Sequence, residues 1–110
     1  MKKLVFLGLS ICLTQANAFT PNKDIELTPC EQIVAVKALL TTATVECGYS
    51  RYNDQLNADA SICLRGELKG DEGIAMLLLG NMEFNQNVEE QGKSLFCKQL
   101  LNKFSEDVGE

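Results

Sequence analysis

The residues best suited to chemistry in this chain are its cysteines and carboxylates, and histidine, their usual collaborator, is absent from all 110 residues. Without an imidazole the usual general base, the Ser-His and Cys-His nucleophile pairs and the nitrogen ligands of a metal centre are missing. Acidic neighbours occur at Asp71-Glu72, Glu89-Glu90 and Glu106-Asp107. Adjacent residues point to different sides of a helix, and the first two pairs suit helix N-termini better than acid-base work. Gly66, Gly70 and Gly73 lack the spacing and the Lys-Ser/Thr ending of a phosphate loop. Met76, Met82 and Phe84 read as core filling rather than as a ligand set. The sequence therefore nominates no catalytic residue, no metal site and no cofactor.

The cysteines carry a different message, which depends on the first eighteen residues. Lys2 and Lys3 precede an apolar run, Leu4 to Leu13, and Ala16-Asn17-Ala18 follows with small residues where a signal peptidase reads. This is the pattern of a secretory signal peptide, with cleavage expected after Ala18. A membrane anchor would need about twenty apolar residues, and Thr14, Gln15 and Asn17 close the run early. The alternative of lipid attachment at Cys12 is disfavoured because Ile11, directly before it, is not small. Cleavage removes Cys12 and leaves Cys30, Cys47, Cys63 and Cys97. An even set in a small exported chain implies two disulfides. Zinc does not fit, since no two of these cysteines lie within four residues of each other.

Removing 18 of 110 residues leaves 92, the size of one domain, and takes the net charge from −5 to −7 because Lys2 and Lys3 leave. The remaining positives are scattered, so the chain should avoid nucleic acid and anionic membranes, which demand clustered Lys or Arg. No membrane span is expected.

Those cysteines must be positioned by helices. Residues 19–27 contain Pro21 and no sustained period, and read as an N-terminal arm. Thr28-Pro29-Cys30-Glu31 has the form of a capping box with proline at the first helical position. From there Ile33, Val36, Leu40, Ala43 and Cys47 form a helical stripe ended by Gly48, although Thr41, Thr42, Thr44 and Val45 would also suit a strand. A second helix is predicted from Asp54 to Gly66, with Leu56, Ala60, Cys63 and Leu64 on one face and Asn53 or Asp54 as its cap. A third starts near Asp71 and Glu72, with Ile74, Leu77, Leu78 and Met82 on one side, and Gly80 could end it. A fourth is predicted from Asn87-Val88-Glu89-Glu90 through Leu95, Cys97, Leu100, Leu101 and Phe104. Four amphipathic helices with short links make residues 28–110 a single all-α domain, a small four-helix bundle braced by two disulfides.

Helix one separates Cys30 from Cys47 by about 25 Å, against the roughly 6 Å that a disulfide spans, so those two cannot pair. An antiparallel hairpin of helices one and two brings Cys63 back to Cys30 and leaves Cys47 with Cys97. That pairing is favoured over Cys30 with Cys97 and Cys47 with Cys63.

Two readings follow for the segment VECGYSRYND, residues 45–54. Tyr49, Arg51 and Tyr52 could form a partner-binding loop, since tyrosine and arginine are enriched at interface hot spots. Alternatively the tyrosines cover the end of the core with Arg51 in water. The function that fits best is a small secreted or periplasmic protein that is not an enzyme. It would act by binding another envelope or secreted protein, with a cationic surface suiting its charge, as inhibitors and immunity-type proteins do. An accessory structural component of an envelope-spanning secretion or conjugation machine is the alternative, and a small hydrolase the least supported. Both rest on class rather than motif, and the residues do not define an oligomeric state.

Overall fold

A computed structural model describes residues 26–110. The expected signal peptide, its cleavage after Ala18 and the arm as far as residue 25 lie outside the described residues. The described chain folds as α1 (Pro29–Cys47), a short strand β1 (Arg51–Tyr52), α2 (Asp54–Arg65), α3 (Asp71–Gln91), α4 (Lys93–Lys103) and β2 (Val108–Gly109). It is a four-helix, all-α fold with disulfides joining Cys30 to Cys63 and Cys47 to Cys97.

Local chemistry explains where α1 begins and ends. The Glu31 amide donates to Thr28 Oγ1 at 3.1 Å and the Thr28 amide donates to Glu31 Oε1 at 2.8 Å, so two otherwise orphaned donors are satisfied. At the other end Gly48 adopts φ 74°, the left-handed conformation that lets its amide close on the Thr44 carbonyl. The β-branched Thr41, Thr42, Thr44 and Val45 are helical all the same, and the Thr44 hydroxyl bonds the Leu40 carbonyl at 2.7 Å. Helix α2 is capped by Asn53, whose side chain accepts from the Gln55 amide.

Helix α1 is the centre of the fold, packed against α2, α3 and α4. Its buried residues are Val34, Ala35, Ala38, Leu39, Leu40 and Ala43, a broader set than the predicted stripe, in which Ile33, Val36 and Cys47 prove only partly buried. A helix with neighbours on three sides cannot be read from one narrow stripe. Two core clusters result, one of Val34, Ala60, Cys63 and Leu68, the other of Leu39, Leu40, Ala43, Tyr49, Phe84, Phe96, Leu100 and Val108.

Helix α3 departs most from expectation. It continues through Gly80 to Gln91, and Asn87 is not a cap but lies inside it, its side-chain amide bonded back to the Glu83 carbonyl and carboxylate. Gly92, at φ 93° and ψ 146°, makes the break before α4, in a region of backbone space that essentially only glycine occupies. Of the predicted inner face Leu77 packs inward as expected, but Ile74, Leu78 and Met82 are exposed, and the face that packs carries Gly73, Leu77, Gly80, Phe84 and Val88. In α4 the buried residues are Phe96 and Leu100, with Leu95 exposed.

Gly80 shows why the helix keeps a residue that weakens it. A Cβ there would meet the Ala35 carbonyl, lie 2.7 Å from Ala38 Cβ and 2.9 Å from the Leu39 amide, so the absent side chain is what lets α3 approach α1. In an ordinary helix interior Gly→Ala stabilises by about 1 kcal/mol. Here Gly80→Ala is expected to destabilise by about 1–3 kcal/mol, because backbone on the facing helix must move. A denaturant midpoint above that of the unaltered protein would show that the helices are free to part.

Candidate functional site

The segment singled out for binding, residues 45–54, is built into a bracket where the end of α1, the start of α4 and the last residues of the chain meet. Cys47 and Cys97, with Cα atoms 5.8 Å apart, hold α1 to α4. Tyr49 lies just past Gly48 with only 8% of its surface exposed, among Leu39, Leu40, Phe84, Phe96 and Val108. Its hydroxyl donates to the Cys97 carbonyl. Burial first, and then the charge of Glu110, push the phenol above its ordinary pKa. The ring thus covers the core, the second of the two readings.

Arg51 is not simply solvated. Its guanidinium donates to the carbonyls of Ser105, Glu106 and Val108. Beneath it Arg51 and Tyr52 pair antiparallel with Gly109 and Val108, and the Asn53 amide bonds the Asp107 carbonyl at 2.7 Å. The Arg51 side chain lies close over Gly109, and a Cβ there would sit 2.8 Å from Arg51 Nε, so the guanidinium would have to shift. The Tyr52 hydroxyl donates to Asn57 Oδ1 at 2.7 Å and meets Thr41 Oγ1 at 3.2 Å. Burial, above all, raises the pKa of this phenol too, against a lowering by the Thr41 bond.

The structure therefore brings Tyr49, Arg51, Tyr52, Cys47 and Cys97 together, and joins them to a C-terminal strap that sequence reasoning missed. A two-residue strand carries no periodicity, so nothing in Val108-Gly109 signals its pairing. Removing the guanidinium in Arg51→Ala should loosen the strap at a cost of about 1–2 kcal/mol. Hydrogen exchange at the Ser50 and Asn53 amides, which bond to Gly109 and Asp107, should speed up, while exchange within α1 and α3 stays as it was. Unchanged exchange at Ser50 and Asn53 would mean that strand pairing alone holds the strap.

A second polar feature lies on α3. The Glu83 carboxyl is partly buried, its oxygen bonded by Asn87 Nδ2 at 3.1 Å, and Asn87 Oδ1 accepts in turn from Gln91. Burial raises its pKa from 4.5 to about 7; the Asn87 bond and the Lys103 cation oppose the rise, and the Glu90 charge adds to it. Because the folded-state value lies above the unfolded one, the folded chain holds an extra proton between these limits. This stabilisation is complete below about pH 4.5 and lost as the pH rises to about 7. Glu83→Gln should flatten that slope and raise stability by ~2 kcal/mol at about pH 8, after allowance for partial solvent contact. Parallel melting curves of both proteins from about pH 5 to 8 test this, and parallel slopes would rule Glu83 out as the source.

Among the described residues no group of three His, Cys, Asp or Glu side chains could hold a metal ion, and no helix is long and apolar enough to cross a membrane. All four described cysteines are in disulfides. Intramolecular bonds of this kind are typical of extracytoplasmic proteins. Compared with family models, with curated proteins and with solved structures, the chain finds no match.

Proposed function

We propose that this protein is an exported binding module that acts by holding another protein of the envelope or extracellular space, in the manner of an inhibitor or immunity-type protein. The observation that supports the exported, pre-ordered part of this reading is the placement of the two disulfides. Cys30 to Cys63 ties the start of α1 to the end of α2, and Cys47 to Cys97 ties the end of α1 to α4. Surfaces on such a frame lose little conformational freedom on binding, which is how a small domain reaches high affinity. Net acidity favours a partner with a cationic face and speeds their encounter.

Within this reading the bracket remains a candidate contact through the parts that solvent reaches, Ser50 and the exposed side of Arg51. Tyr49 and Tyr52 support it from beneath. The test is affinity capture with the tagged protein from an envelope fraction, followed by reconstitution with the purified partner. A one-to-one complex that blocks the partner's activity supports the inhibitor role. Recovery only as a stoichiometric part of a large membrane assembly would replace it with the accessory-component reading.

A further inference from the structure

Helix α3 has an outer face that nothing in the described chain covers. Ile74 and Leu78 are each 55% exposed and Met82 is 62% exposed. With Asp71 they recur at helical spacing, and Glu89 continues the same line, all on the side opposite Gly73, Gly80 and Phe84, the residues that α3 buries. Scattered apolar side chains are ordinary on a protein surface, whereas three in line, one turn apart, make a patch.

Charge indicates what the patch receives. All 21 residues of α3 lack Lys and Arg, while Asp71, Glu72, Glu83, Glu89 and Glu90 are acidic. Asp71 and Glu72 stabilise the helix N-terminus. Glu89 and Glu90 do the reverse: they lie near the C-terminal end, where the helix dipole is already negative and where the last turn of α3 holds no basic residue of its own. Helix stability does not account for their position. Asp71 and Glu89 are both exposed and lie about 27 Å apart along the axis, with the apolar residues between them.

We propose that this face docks an amphipathic helical segment of a partner protein, apolar at its centre and carrying Lys or Arg at both ends. Leu78 and Met82 meet its apolar stripe, and Asp71 and Glu89 meet its cations. The proposal deepens the reading of the protein as a binding module and names the partner's chemistry.

The probe is a synthetic helix of about 18 residues with leucines at helical spacing in its centre and lysines at both ends, set against a twin with glutamate for lysine. The full protein should bind the lysine peptide at least about tenfold more tightly than the twin, and about 0.5 M salt should erase most of that preference. The double variant Leu78→Gln, Met82→Gln should weaken binding by about tenfold or more with an unchanged melting temperature, since both side chains are exposed. Asp71→Asn with Glu89→Gln should remove the discrimination between the peptides.

Equal binding of the two peptides, or equal binding by the Leu78→Gln, Met82→Gln variant, overturns the proposal. So does a homodimer seen by sedimentation and lost in that variant, which gives the face to a second copy, or adsorption to phosphatidylcholine vesicles lost in it, which gives the face to lipid. A purified natural partner held equally well by that variant refutes this surface and leaves the binding reading intact. Peptide binding as described, with no envelope protein captured, supports the surface and refutes the inhibitor reading.

Discussion

Replacing both members of the second bridge, in the double variant Cys47→Ala, Cys97→Ala, is expected to lower folding stability by about 4 kcal/mol. The bond closes a loop of 50 residues, and the longer the closed loop, the more conformational freedom the cross-link withholds from the unfolded chain. Domains of this size have only about 5–15 kcal/mol in total, so the loss is a large share. The bond also has a local task, since it holds the end of α1 to the start of α4 around the buried ring of Tyr49. Cys30→Ala, Cys63→Ala, which opens a loop of 33 residues, should cost slightly less. Urea unfolding of the three proteins checks both the size and the order. A Cys47→Ala, Cys97→Ala variant with nearly the original midpoint would mean that packing of Leu39, Phe84 and Phe96 holds this end without the bond.

Tyr49→Ala should be equally severe, at about 3–5 kcal/mol, the range for emptying a core position of an aromatic ring. Its ring is one of eight buried residues in a cluster that joins α1, α3, α4 and β2. Tyr49→Phe isolates the bond from the hydroxyl to the Cys97 carbonyl and should cost only about 1 kcal/mol. The pair distinguishes the two roles considered for this loop. If both variants melt as described and bind a purified partner as before, Tyr49 serves the core. If Tyr49→Phe folds normally and loses binding, the tyrosine is a contact after all.

Much of this architecture is written in short-range chemistry. Thr28, Pro29 and Glu31 announce the start of α1, Gly48 its end, Asn53 the cap of α2, and Asp71 with Glu72 the start of α3. Each signal works through residues within four positions of one another, so it survives without knowledge of the fold. The disulfide pairing was legible for a related reason. Helix length alone keeps Cys30 from Cys47, and an antiparallel return brings Cys63 to Cys30.

What failed in the sequence was choosing among apolar faces. From Ile74 to Gly80 (IAMLLLG) nearly every phase of the helix is apolar, so periodicity has several equally good solutions. The choice was made by Gly80, whose missing side chain lets α3 settle onto Ala35 and Ala38 and so turns Ile74, Leu78 and Met82 outward. The same blindness made Gly80 resemble a stop and Asn87 a cap, because propensity counts the cost of a glycine and not the close approach it permits. The candidate loop divides along the same line. That Tyr49, Arg51 and Tyr52 follow a bridged cysteine is a matter of sequence. That Tyr49 closes the core while Arg51 grips the carbonyls of residues 105, 106 and 108 depended on a C-terminal strap more than fifty positions away, a meeting only the folded chain arranges.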